Sequence, residues 1–485
     1  MYPWKSTILI DKTSKQPVFL QIANIISSEI RAGRLKPETK LPGSRSMAEL
    51  LNVHRKTVVA AYDELDAQGW IELKASKGTF VSASLPTMRP VKLDPKVNNV
   101  SSHNDTSAFL FNVNTKLTVP PVNDNNLIKL HDGLPDVRLA PTEIIAREYK
   151  RVIKDHRILK YGDEQGDFRL REILSQYLNE TRGIPSTPYN IFITRGSQMS
   201  IYLAAKLLLE PGSKMIVGKT SYYIADQAFE SAGAELIRIP VDDQGVCIES
   251  MEELCSNTPI KAIYLTPHHH YPTTVTMSID RRLKLLELAQ RYHFAILEDD
   301  YDYEFHYKSS PILPIASLDH SGSVIYFGSF TKALAPALRI GYIIAPEDFT
   351  TELRKIRRFM DRQGDQILER AFANMIYDGE IQRHLKKAVK IYKDRRDFMC
   401  QLLHRELNGA IDADPPEGGL AIWAKFRPHI DLPLLAKNME DQGIYISDGT
   451  HYNPEGPRLN ASRLGFAALN KQETERVIQS MKGLL

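Results

Sequence analysis

Between Val81 and Ala108 the chain reads VSASLPTMRPVKLDPKVNNVSSHNDTSA, with three prolines and not one Phe, Trp or Tyr. A stretch so poor in apolar surface cannot offset the entropy lost on ordering, so it reads as a linker. The chain must then fold as two units: a small one before it and a large one after it. We place the boundaries at 12–81, 82–108 and 109–485. Eighty residues suffice for a small autonomous domain, and the remainder suits one large domain.

Composition closes off other classes. Of the 485 residues 42% are hydrophobic and 25% charged, the profile of a soluble globular protein with a sizeable core. No run approaches the roughly 18 uncharged apolar residues of a spanning helix. The opening MYPWKSTILIDKTSK lacks the apolar core of a signal peptide, which points to the cytoplasm. Three scattered cysteines, Cys247, Cys255 and Cys400, form neither a disulfide framework nor a metal-ligand spacing. Net charge is +3, but residues 1–85 hold 12 Lys and Arg against 8 Asp and Glu. The positive excess therefore sits in the small unit, a footprint for a polyanion.

Within the small unit, VFLQIANIISSEIR (18–31) has helical apolar spacing and ends before Gly33 and Pro37. A second helix is predicted over 44–52, capped by Ser44 or Ser46. A third follows over 54–69 after a tight turn and closes at Gly69. Its first turn, His54-Arg55-Lys56-Thr57, is polar and basic, while Val58, Ala61, Tyr62 and Leu65 can pack behind it. A recognition helix needs that division, with its N-terminal side chains at base edges and its rear on the domain. The next residues, GWIELKASKGTFV (69–81), read as two short strands turning at Lys77-Gly78. Taken alone, the basic turn also fits a solvated surface; the hairpin behind it favours DNA.

In the large unit, apolar strands (215–218, 262–267, 294–300, 323–330) alternate with helical stretches such as 281–293, the pattern of a doubly wound α/β sheet. Ligands bind beyond the carboxyl ends of such strands. Asp299 and Tyr301 follow one strand end, and Lys332 follows another. A lysine there can form a Schiff base with an aldehyde cofactor, and a carboxylate can keep a pyridine nitrogen protonated. Ser329, Thr331 and Arg339 suit a phosphate, as do Ser197 and Gln198 in TRGSQM (194–199), where a strand meets a helix. S-x-x-K by itself fits a surface lysine equally well. The ordered set G-S-Q, E-D-D-Y, S-x-x-K and R-x-G-Y is far more selective.

Two resemblances follow from these residues. The segment 16–81, with GRLKP, LPGSR and GTFV, resembles the winged helix-turn-helix of GntR-type regulators, an α+β domain. The resemblance implies DNA contacts at Arg45, Arg55, Lys56, Thr57, Lys77 and Gly78, although His54 stands where Ser or Thr is usual. From about Leu130 onward the chain resembles the fold-type I pyridoxal 5′-phosphate enzymes of the aspartate aminotransferase superfamily, an α/β fold. Further matches are YGDEQGDFRLREIL (161–174) and SRLGFAAL (462–469). This implies Lys332 as the Schiff-base lysine, Asp299 at the pyridine nitrogen and Tyr301 at the phenolic oxygen. It also implies Tyr222 stacked on the ring, Arg463 on the carboxylate of an amino-acid ligand, and Tyr161 reaching the other subunit's site.

The departures are local. His270-Tyr271-Pro272-Thr273-Thr274 stands where Asn-Pro-x-Gly is usual, so Tyr271 replaces the asparagine and Thr274 the glycine. KTSYY (219–223) replaces the more usual D-P-G-Y. His268 and His270 share a strand face, but no carboxylate or cysteine nearby in the sequence completes a metal site, and no metal is expected.

A GntR-type winged helix, a linker and an aminotransferase-like domain in that order resemble the MocR/GabR-type regulators. The resemblance implies a pyridoxal-phosphate-dependent regulator that binds double-stranded DNA as a head-to-tail homodimer. It would respond to an amine, an amino acid or the vitamer itself. The competing reading is a working aminotransferase carrying a fused DNA-binding module.

Overall fold

The computed structural model describes residues 2–11, 13–14, 16–85, 107, 110, 127–130, 133–308, 312–453 and 456–485. The predicted linker, 82–108, lies outside the described residues except for 82–85 and 107. The chain divides into two compact units, Met1–Val113 and Asn114–Leu485.

In the first unit, α1 (Val18–Arg31), α2 (Ser44–Leu51) and α3 (Arg55–Ala67) pack around Ile22, Ile26, Met47, Val58, Ala61 and Leu65, all buried. Tyr62 ties the bundle by donating to the Pro42 carbonyl at 2.7 Å. Strands β1 (Ile71–Lys74) and β2 (Gly78–Val81) pair antiparallel, Ile71 opposite Val81 and Lys74 opposite Gly78, and form the wing. The predicted cap of α2 is corrected. Gly43 occupies the N-cap position, and Ser44 is already the first helical residue, so neither serine caps. Gly69 follows α3 with φ +74°, the left-handed conformation that glycine adopts without a Cβ penalty.

The second unit is built on a seven-stranded sheet. Its strands are β3 (Ile191–Thr194), β4 (Lys214–Gly218), β5 (Glu235–Ile239), β6 (Ala262–Leu265), β7 (Ala295–Asp300), β8 (Val324–Ser329) and β9 (Gly341–Ile344). They lie in the order β3-β9-β8-β7-β6-β4-β5. The neighbouring pairs from β8 across to β5 are parallel, while β9 runs antiparallel to both its neighbours. The strands read as continuous apolar runs because both faces are covered. On β3, Ile191 and Ile193 join one core cluster and Phe192 the other. A smaller antiparallel sheet of β10 (Ile411–Asp412), β11 (Ala421–Phe426) and β12 (Ala461–Gly465) sets Trp423 opposite Arg463. Among the described residues no helix is long and apolar enough to cross a membrane.

Candidate functional site

Residue parity along β7 separates two adjacent carboxylates. Leu297 faces the same core as Tyr264 on β6, and Asp299, two residues on, shares that face. The Tyr264 hydroxyl donates to Asp299 Oδ2 at 2.9 Å, while Oδ1 is buried without a hydrogen-bond partner among the described residues. Asp300 turns to the opposite face, where it accepts from the Tyr326 hydroxyl at 2.7 Å. Burial pushes Asp299 up to about 7, opposed by the Tyr264 hydrogen bond and reinforced by the Asp300 charge. Burial also raises Asp300, to about 6, against the pull of Arg182.

A second group of side chains comes from the connection between β8 and β9. Its ends are tied together: Ser329 pairs with Gly341, and Phe330 N–H donates to the Ile340 carbonyl at 3.0 Å. The Ser329 hydroxyl accepts from Thr331 N–H at 3.1 Å, and Thr331 Oγ1 is buried without a hydrogen-bond partner among the described residues. Lys332 Nζ donates to the Gly133 carbonyl at 3.2 Å. Arg339, at φ +51°, reaches the start of helix α4 (Ser197–Leu208). Gly196 precedes that helix at φ +90°, and a Cβ there would lie 3.0 Å from Arg339 Nη2. The glycine thus allows the guanidinium to sit against the helix N-terminus, whose free N–H groups favour an anion.

These elements surround one cavity of about 240 Å³. Asp299, Tyr301, Ser329, Thr331, Lys332 and Arg339 line it, and Ser197, Gln198 and Tyr222 complete the predicted set. Gln198 Nε2 donates to the Tyr222 hydroxyl at 3.2 Å. The Tyr301 hydroxyl donates to the His269 carbonyl at 2.9 Å and accepts from Arg463 Nη2 at 3.1 Å. Sequence reasoning overlooked Tyr264, Leu134, Thr266 and Pro336 as lining residues. For Tyr264 the usable signal was strand parity, since β6 neighbours β7 and Leu297 pairs with Tyr264.

Two predicted residues stand elsewhere. Arg463 is 1% exposed and does not line the cavity. Its guanidinium lies 5.2 Å from the Tyr271 ring centroid and 5.9 Å from that of Tyr301, and Nη1 donates to the Pro272 carbonyl at 3.3 Å. Tyr271 and Tyr301, the rings it packs against, do line the cavity. Tyr161 is 77% exposed, with the Arg362 guanidinium 4.0 Å from its ring centroid, and is not part of the lining in its own chain.

The departures noted in sequence have structural consequences. Thr274 adopts φ +64°, a left-handed conformation that is strained for a β-branched residue and explains why glycine is usual there. The three histidines are buried and separately engaged. His269 Nδ1 lies 2.7 Å from Asp302 Oδ1, His270 Nδ1 lies 2.9 Å from Thr273 Oγ1, and His268 Nε2 meets the Ile312 carbonyl. Burial lowers His268 well below the ordinary range and brings His270 to about 3.

In the small unit, Arg45, Arg55, Lys56, Lys77 and Gly78 are exposed and Thr57 is half-buried. The Arg55 Nε donates to the Ser44 hydroxyl at 3.3 Å, which joins the heads of α2 and α3. His54 is the N-cap of α3: its Nδ1 accepts from Lys56 N–H at 3.2 Å. That explains a histidine where Ser or Thr is usual, because each offers an acceptor at the cap.

A mostly parallel sheet with one antiparallel strand, and a lysine and an aspartate at the ends of neighbouring strands, define the class. The chain belongs to the aminotransferase class I and II family, which matches residues 125–481. Residues 19–81 match the gntR family of bacterial regulatory proteins, so the family domain here follows a helix-turn-helix unit. The whole chain is similar to the probable rhizopine catabolism regulatory protein MocR of Rhizobium meliloti, 28% identical over 98% of this chain and 95% of that one. Aromatic-amino-acid aminotransferase 1 of Thermococcus litoralis is 31% identical over 74% of this chain and 88% of its own. A crystal structure of kynurenine aminotransferase from Pyrococcus horikoshii superposes with TM-score 0.68 at 30% identity, covering 74% of this chain and 92% of that one.

Proposed function

We propose that this chain is a pyridoxal-phosphate-dependent transcription regulator, whose first unit binds duplex DNA and whose second senses a primary amine. The observation that carries it is the convergence of Lys332 and the buried Asp299 carboxylate on one cavity, in a chain that also holds a helix-turn-helix unit.

The residues present fit the cofactor. Thr331 Oγ1, the head of α4 and Arg339 form a phosphate cradle, and the buried Asp299 Oδ1 needs a donor. When bound, pyridoxal 5′-phosphate supplies an aldehyde carbon that joins a primary amine as C=N and passes between amines, one such bond made for each broken. Lys332 provides the chain's own amine for that bond. Asp299 would face the ring nitrogen, where an opposite charge would favour its carboxylate form and the carboxylate would favour a proton on that nitrogen. Tyr264 fixes which carboxylate oxygen is presented. Tyr301 offers its hydroxyl from a side already anchored by His269 and Arg463. Tyr222, Tyr271, Leu134 and Pro336 give the cavity walls that exclude water.

Arg45, Arg55, Lys56, Thr57, Lys77 and Gly78 are assigned to the DNA surface. The working assembly is a cytoplasmic head-to-tail homodimer, in which Tyr161, exposed in its own chain, reaches the partner's cavity. Two recognition helices then read paired half-sites. The test is a gel shift of the full-length holo-protein on duplexes from upstream of its own and neighbouring genes, with amines added. An amine that changes both the cofactor absorption and the retained duplex supports the reading. A protein that binds no duplex selectively refutes it.

The likeness to aromatic-amino-acid aminotransferase 1 favours one second reading, a working transaminase. Incubation with amino donors and a keto acid separates the two, since only the transaminase releases the new amino acid over many turnovers.

A further inference from the structure

We infer that His269 is a positioning residue: its imidazole, held by Asp302, sets where the Tyr301 hydroxyl stands at the cavity. The inference deepens the regulator reading above and rests on it.

His269 is bound by two consecutive residues of the segment that follows β7. Its carbonyl accepts from the Tyr301 hydroxyl at 2.9 Å, and its Nδ1 lies 2.7 Å from Asp302 Oδ1. An ionised carboxylate only accepts, so Nδ1 carries the proton and the ring is the donor. The main-chain bond holds the tip of the Tyr301 side chain. The side-chain bond holds its root, one residue along. With both made, the carbonyl and the hydroxyl keep a set separation that a phenol turning freely would not.

The seat of the imidazole is closed around it. His269 is 2% exposed and Asp302 1%. A Cβ on Gly418 would overlap His269 Nε2, and one on Gly419 would lie 3.0 Å from Asp302 Oδ2. Gly419 N–H donates to the Phe305 carbonyl at 2.8 Å, which keeps the two glycines against the pair. His306 and His268 flank the ring, centroids 5.4 and 6.4 Å away. Burial brings His306 to about 3 and holds His268 well below the ordinary range, so both stay neutral. In so dry a setting the His269–Asp302 bond is strong, and removing either partner strands the other.

The Tyr301 hydroxyl has one proton, and burial pushes its ionisation well above the ordinary phenol range. That proton goes to the His269 carbonyl, while Arg463 Nη2 donates to the hydroxyl oxygen at 3.1 Å. A cofactor oxygen in the cavity competes with the carbonyl for the same proton. The His269–Asp302 pair therefore governs how much of it the cofactor receives.

The test is a double-mutant cycle on the full-length protein, with Tyr301→Phe as the second substitution. Two quantities are read: the dissociation constant of pyridoxal 5′-phosphate, and the pH midpoint at which the bound cofactor's absorption changes. His269→Ala should weaken cofactor binding about threefold or more and displace the midpoint by about half a unit or more. In the Tyr301→Phe background it should do neither. His269→Asn, which keeps an N–H donor near Nδ1, should restore both. A purely structural loss would lower the melting temperature and act equally with or without the Tyr301 hydroxyl. Asp302→Ala should reproduce His269→Ala, and decides the case if the latter does not fold. If the midpoint stays unmoved, or moves as far in the Tyr301→Phe background, the inference is overturned while the sensor reading survives. If the unaltered protein binds no cofactor, both fail.

Discussion

The two units place charge in opposite ways. The side chains proposed to face DNA, Arg45, Arg55, Lys56 and Lys77, stand exposed. The cavity instead buries its chemistry. Asp299 lines it, and its strand neighbours Glu298 and Asp300 are buried outside it; burial raises all three, Glu298 to about 7. A surface of mobile cations gains affinity by releasing counterions and tolerates loss of any one group. A desolvated cavity has no such tolerance, because each buried group depends on a particular neighbour. Substitutions in the cavity should therefore act as switches, and those on the DNA face as graded changes.

The largest expected effect follows from Lys332. Lys332→Ala should abolish covalent retention of cofactor after borohydride reduction, read by intact mass, and eliminate the amine response. Basal DNA affinity, measured by gel shift, should persist. A pyridoxyl mass on another lysine would break the comparison at its centre.

The second effect is a pH dependence with a definite sign. Asp299 at about 7 in the folded chain lies above its unfolded value near about 4, so the folded state holds a proton that the unfolded state has released. Its contribution to the stability of the cofactor-free protein is full below about pH 4 and falls as pH rises to about 7. Asp299→Asn should stabilise the cofactor-free protein at pH 8, with a ceiling of about 4 kcal/mol, and change little at pH 4. Denaturant melts at the two pH values check this. Cofactor loading should remove the difference for the parent protein, because the ring cation restores the carboxylate.

Smaller effects belong to the DNA face. Arg55→Ala should lower discrimination between a selected duplex and a scrambled one by about 1–3 kcal/mol if it reads a guanine edge. Lys77→Ala should weaken all duplexes alike and reduce the salt slope by about one. Smallest is His54. His54→Ala removes the cap of α3 and should cost about 1 kcal/mol in melting of the small unit, while His54→Asn, which also caps, should restore it.

Much of the fold and of the cavity lining was legible because the signals are local. Helix α1 coincides with its predicted range, and Lys332, Arg339 and Ser329 lie in one short stretch whose motif order carries the chemistry. What escaped depends on distance in sequence. Tyr264 reaches Asp299 only through the pairing of β6 with β7, and nothing near residue 264 announces it. The neighbours of Arg463 on β12, Tyr271 and Pro272, come from a turn almost two hundred residues earlier, so its own motif does not announce them. The cap of α2 failed for a different reason. Two serines near a helix start satisfy the propensity rule, but the turn places Gly43 at the position that matters.

The tied ends of the connection between β8 and β9 bear on how tightly the cofactor is held. Residues 330–340 leave the sheet and return to it at the same rung, so the segment is already a closed ring when the cofactor arrives. Ordering an open loop around a ligand draws on binding energy; a ring closed by the sheet does not ask for it. Retention of the cofactor would thus depend on a rung of backbone pairing at the cavity's edge, Ser329 opposite Gly341. Loosening that rung would appear as faster escape of the cofactor, with its colour while bound unchanged.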